Sequence, residues 1–370
     1  MTSIWRGLAI AALALLAGTL AGCLGPRLTA PVLPDEGLVS FGWDTRTLSE
    51  AAHFIVTGQV VRQESVLQTT SLGERIVTTV ELKVSENLKG NSPETVVVQH
   101  LGGRVGDLVM WVSHEPRFRV GENVVLFLSP AEGGPLAVCG GFRGKLTVMG
   151  DRVAELGLSL TDFAHRVSLA LSGRDPGPDP AFVPLEEGSL SLMGEPLAYR
   201  YEEIRWPQVQ PVVPYRINGQ ASWLGPIQAA SGTWNSVGSK LTFQYAGTTT
   251  TPAGFRDGLN VIEAIRSYGA TGWPAQATVW YRTTSTGGDI LECDIALNLY
   301  YRWATNGTST ALDIQSLVTH ELGHWLMLRD LYRTQEAEMT MYGLVTNGET
   351  KKRTLEEPDR RGMLDIYGPR

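Results

Sequence analysis

The chain has 370 residues, 43% of them hydrophobic and 19% charged, with 41 Gly and 20 Pro. This composition supplies a core and many turns, excludes a mainly disordered protein, and at this length predicts two domains. A net charge of −7 with no long Lys/Arg block speaks against a nucleic-acid partner.

Residues 1–22 read as a signal peptide. Arg6 gives the positive start, and the apolar run from Leu8 to Leu20 is too short, and too soon followed by Gly25 and Pro26, to span a bilayer. The segment closes on Leu20-Ala21-Gly22-Cys23, which resembles a bacterial lipobox. That resemblance implies cleavage before Cys23, acylation of its thiol, and a lipoprotein held at a cell-envelope membrane, facing the periplasm or the exterior. Residues 23–46, with Pro26, Pro31 and Pro34, read as a tether.

Between 47 and 172 the runs 54–61, 76–84, 96–98 and 124–128 are short and rich in β-branched residues, with turns at 89–93 and 121–123. They predict an all-β domain, a small barrel or sandwich. His53, His100 and His114 are scattered through it without metal-ligand or acid/base spacing, and each is read as a surface or structurally satisfied residue. A structural, inhibitory or substrate-recruiting role all fit this domain. A helix over 161–172 ends at Gly173, and the Pro- and Gly-rich stretch 173–200 reads as a linker. In an oxidising compartment Cys139 and Cys293 either form a bridge between the two halves or stay buried thiols.

From 201 to 370 strands and helices mix, giving an α+β chain overall. Strands are predicted at 212–217, 241–245, 259–265, 277–281 and 290–298. One helix covers 226–237 with Trp234 facing inward, and a longer one starts at the N-cap Asp313. This last helix carries His320-Glu321-Leu322-Gly323-His324. Positions i and i+4 share a helix face, so both imidazoles can reach one ion, with Glu321 beside them as a proton acceptor. Such donors favour zinc, whose catalytic sites keep three protein ligands and an open position. No His follows His324, so a carboxylate is the simplest third ligand: Asp330, or Glu356 or Glu357 further on.

Asp330 lies six residues past His324, the offset of the third ligand in the metzincin pattern, and Glu338-Met339-Thr340-Met341-Tyr342-Gly343 resembles the Met-turn of that clan. With Trp234-Asn235, the run Asp289 to Ile295, and the closing Ile366-Tyr367-Gly368, residues from about 205 to 370 resemble a bacterial matrixin-type metzincin protease. The resemblance implies a twisted mixed sheet, mostly parallel, whose single antiparallel edge strand lines the substrate cleft above the active-site helix. It implies one zinc ion held by His320, His324 and Asp330, Glu321 as general base, Met341 beneath the metal, and endopeptidase action on a protein or peptide substrate.

Three departures stand out. Met327 replaces the Gly at which the metzincin helix ends, so the turn towards Asp330 is expected to be built differently. No Pro-Arg-Cys-Gly latency segment occurs, and Cys139-Gly140-Gly141 is only a faint echo of one. The His are too few for an additional His-bound zinc, while calcium is compatible with the many oxygen ligands but spelled out by no loop. The competing reading is a catalytically inactive surface lipoprotein whose metzincin-like fold binds partners or serves as a scaffold.

Overall fold

The computed structural model describes residues 43–130, 135–185, 199, 201, 203–266 and 272–370. Cys23 and its flanking segments lie outside the described residues. In chain order, helix α1 (Thr45–Ala51) leads into strands β1 (Phe54–Thr70), β2 (Gly73–Lys89), β3 (Thr95–Leu101), β4 (Gly103–Val105), β5 (Leu108–Val112), β6 (Asn123–Pro130), β7 (Leu136–Val138), β8 (Lys145–Met149), β9 (Arg152–Val153) and β10 (Leu158–Ser159), then helix α2 (Leu160–Leu171). There follow β11 (Ile204–Arg205), β12 (Val212–Asn218), α3 (Leu224–Asn235), β13 (Thr242–Thr248), β14 (Val261–Ile265), β15 (Ala275–Thr284), β16 (Gly287–Asn298), β17 (Trp303–Ala304), β18 (Leu312–Asp313), α4 (Ile314–His324) and α5 (Glu357–Tyr367). The protein is mixed α/β, with strands predominating over helices.

The first sheet closes on itself. β1 and β2 form a long antiparallel hairpin, β2 pairs with β3, β3 with β7, β7 with β6, and β6 returns to β1. The alternating Val and Leu of these strands turn inward, so that Val56, Val80, Val98, Val124 and Leu126 are all buried. Helices α1 and α2 cap a second cluster, in which Phe163 and Val167 of α2 meet Ile55, Val125 and Phe127.

The second sheet has the order β13-β12-β14-β16-β15-β5-β4. Strands β12, β13, β14 and β16 run parallel, and β15 runs antiparallel to β16. Helix α3 packs along α4, where Trp234 is fully buried and donates its Nε1–H to the carbonyl of Thr319 at 2.8 Å.

Strands β4 and β5 come from within the region read as the all-β domain, yet they extend the second sheet beyond β15. The cause is apolar: Leu108, Met110 and Val112 of β5 alternate inward and meet Ile76 of the first sheet and Trp280 of the second in one cluster. The described residues from 43 to 370 accordingly fall in one compact unit. Cys139 and Cys293 are both buried free thiols, so the bridge between halves is not made. Among the described residues no helix is long and apolar enough to cross a membrane.

Candidate metal centre

The site starts from one helix and the turn that ends it. At the start of α4, the Asp313 side chain accepts the backbone N–H of Ser316 at 2.9 Å and pairs with Arg353. At its end, Met327 N–H donates to His324 O at 2.8 Å and Leu328 N–H to Gly323 O at 3.1 Å. These are the two hydrogen bonds of a Schellman turn, with Met327 in the left-handed position at φ 60°. The expectation that Met327 forces a different turn is therefore corrected. The turn is the glycine-type one, and the fully buried Met327 side chain holds a non-Gly residue in it.

That turn orients the ligands. It brings Leu328 O within 2.7 Å of His324 Nδ1, while His320 Nδ1 meets Thr340 O at 2.8 Å. Both rings thus have their Nδ1 edges occupied by carbonyls and turn Nε2 inward, the usual way a backbone acceptor fixes a ligating imidazole. The chain then returns so that Asp330 Oδ1 lies 3.1 Å from His320 Nε2 and 3.6 Å from His324 Nε2. Leu331 N–H donates to Met341 O, tying the Asp330 segment to the turn at Met341. Asp359 of α5 holds that turn by accepting the N–H groups of Thr340 and Met341. Gly323 explains how closely Met341 approaches: a Cβ at Gly323 would lie 2.2 Å from Met341 Sδ.

A fourth residue arrives from the other half of the chain. His114, just after β5, offers a ring nitrogen to the same group as His320, His324 and Asp330, and these ligand atoms lie within 4.8 Å of one another. This corrects the reading of His114 as a surface or satisfied residue and of its region as free of metal donors. His114 Nδ1 is 3.7 Å from Asp330 Oδ2 and Nε2 is 3.8 Å from Glu321 Oε1. Its ring stacks on Trp273 with centroids 4.2 Å apart. No local spacing flags His114. The one usable signal is the scarcity of histidine, six in the whole chain, which makes each a candidate once His320 and His324 are recognised. Glu356 and Glu357 do not belong to the group: both are exposed at the start of α5, so the alternative third-ligand assignment falls to Asp330.

The electrostatics of the group favour negative charge on its two carboxyls. Burial opposes charge on Asp330, but His324, His114 and His320 around it hold its carboxyl well below the usual range. Burial pushes His324 down to about 4. In His320 burial acts the same way, but adjoining Asp330 outweighs it and raises the imidazole. Glu321 resists burial through His114 and His324 and stays lowered. Four buried polar atoms, His114 Nδ1, His324 Nε2, Asp330 Oδ1 and Glu321 Oε2, have no hydrogen-bond partner. Each such orphan costs roughly 1–3 kcal/mol, and their convergence fits a metal ion among them. A small pocket beside the group is lined by Leu317, Tyr342, Leu344, Val345 and Lys352.

The group can hold a metal ion. Comparison of the chain with protein-family models and with curated proteins finds no match.

Proposed function

We propose that the protein is a zinc-dependent endopeptidase of metzincin type, carried at a cell-envelope membrane through an acylated Cys23. The observation that carries the reading is the convergence of His320, His324 and Asp330 at one point, with Glu321 on the same helix turn. Imidazole and carboxylate donors at this spacing suit zinc, with His320, His324 and Asp330 as its ligands. A bound zinc ion supplies a Lewis acid that polarises a peptide carbonyl and lowers the pKa of water. Glu321, ionised in its buried position, accepts the proton of the attacking water and hands it to the leaving amine. The Nδ1 contacts to Thr340 O and Leu328 O keep the two imidazoles in one orientation throughout.

Purified protein is expected to carry about one zinc per chain, with Asp330→Ala giving it up to a chelator faster than wild type. Glu321→Ala is expected to keep the zinc and, when added to His114→Ala, to lower that variant's peptide hydrolysis by roughly 10²–10⁴-fold. Zinc held equally tightly against a chelator by wild type and Asp330→Ala would remove this ligand set. Cys23→Ser is expected in the soluble rather than the membrane fraction, and a variant that stays with the membrane would refute the lipid anchor.

One observation favours a second reading, the inactive binding or scaffolding lipoprotein. With His114 the site has four protein donors, the number found in closed structural zinc sites. Equal and negligible hydrolysis by wild type and Glu321→Ala, including after His114 is removed, would establish that reading.

A further inference from the structure

The stretch from β5 to His114 lies along the very edge at which an endopeptidase would take an extended substrate. Leu108, Val109, Met110, Trp111 and Val112 pair antiparallel with Arg282, Tyr281, Trp280, Val279 and Thr278 of β15. The pairing continues past the strand. Ser113 N–H donates to Ala277 O, Ser113 Oγ accepts Ala277 N–H, and Gln276 Nε2 donates to Ser113 O, each at 2.8 Å. A sheet edge is a ready template for an added strand, and extended peptides are commonly recognised by such addition. Here that position is filled by the chain itself.

At the end of this strand the backbone turns sharply and delivers His114 to the ligand group. His114 has φ 65°, a left-handed conformation that favours glycine and strains a residue with a Cβ. Its neighbours hold it there. Phe142 N–H donates to His114 O at 2.9 Å, and Phe142 stacks on Trp273, which in turn stacks on His114. Gly141 permits the approach, since a Cβ there would lie 2.2 Å from His114 O. Trp111 of the same strand covers the ring of His324 at 5.3 Å between centroids. His114 Nδ1 is buried without a hydrogen-bond partner, and Nε2 faces Glu321, the group that must otherwise face water.

We infer that the N-terminal half is a built-in inhibitor: β5 occupies the substrate edge of β15, and His114 is a fourth metal ligand in place of the catalytic water. The inference rests on the zinc-endopeptidase reading. Three imidazoles and one carboxylate complete a tetrahedral zinc site, leaving no position for water. The faint Cys139-Gly140-Gly141 echo then has another use. Cys139 is buried with its Sγ 2.9 Å from Ser129 Oγ, while Gly141 and Phe142 brace the histidine. Withdrawal of residues 108–114 from β15 frees the strand edge and the coordination position together.

The test uses the full chain with cobalt(II) in place of zinc and acetohydroxamate as probe of an open coordination position. Wild type is expected to show a four-coordinate visible spectrum indifferent to acetohydroxamate. In His114→Ala the spectrum changes, acetohydroxamate binds roughly 10–100-fold more tightly as the blocked state is removed, and peptide hydrolysis appears. His114→Phe keeps an aromatic ring on Trp273 but has no donor atom. It is expected to show the altered spectrum and to release zinc to a chelator faster than wild type. Metal bound by all three proteins, with identical spectra and identical hydroxamate affinity in wild type and His114→Ala, overturns closure by His114 and leaves the endopeptidase reading standing. Metal bound by none of them overturns both.

Discussion

Met327 shows how burial decides a backbone conflict. The left-handed conformation costs a residue with a Cβ roughly 1–2 kcal/mol, whereas removing a fully buried Met side chain costs about 2–5 kcal/mol. Because losing the buried side chain is the costlier of the two, Met stays at a position whose backbone prefers Gly. Met327→Gly is therefore expected to destabilise the protein by about 1–3 kcal/mol despite relaxing the turn, and Met327→Ala, which keeps the strain, by more. Urea unfolding of the two variants ranks them, and a stabilised Met327→Gly would show that strain outweighs burial. His114 is the second non-glycine residue at positive φ among the described residues, and here contacts with Phe142 and Trp273 do the holding.

At the scale of elements, the helix bearing the metal donors was legible because its cues are local. Asp313 at the start and the i and i+4 imidazoles both act within a few residues. The predicted strands at 212–217, 241–245, 259–265, 277–281 and 290–298 correspond closely to β12, β13, β14, β15 and β16. The hairpin of β1 and β2 was less legible: its distal half, from Arg62 to Thr70, is largely exposed, so hydrophobic alternation fades where pairing to β2 keeps the strand extended. Strand β5 was not legible as part of the site. Leu108-Val109-Met110-Trp111-Val112 is apolar throughout and would suit the interior of either sheet.

For the whole molecule, the consequence is mechanical coupling between the halves. The ligand group takes His114 from one and His320, His324 and Asp330 from the other, while Leu108, Met110 and Val112 bind the two sheets through Ile76 and Trp280. An ion that binds only the folded protein stabilises it by about 4 kcal/mol at a thousandfold excess over its Kd. Chelation is therefore expected to lower the melting temperature of a single transition involving both sheets, followed by calorimetry with and without chelator. A lowered transition for one half beside an unmoved transition for the other would show that His114 does not share the ion.

The resulting division follows from the range of the forces. Short-range geometry settled the HExxH helix and the approximate placement of the strands around it, since helix periodicity, caps and strand alternation act between near neighbours, while the candidacy of Asp330 came from the resemblance of its offset to the metzincin pattern. Tertiary structure alone decided which strand lies on the free edge of β15, that Met327 adopts the glycine conformation, and that His114 joins the ligands. Edge pairing requires only an extended strand of suitable polarity, so many segments satisfy it equally in isolation, and the choice falls to the apolar cluster that β5 completes between the two sheets.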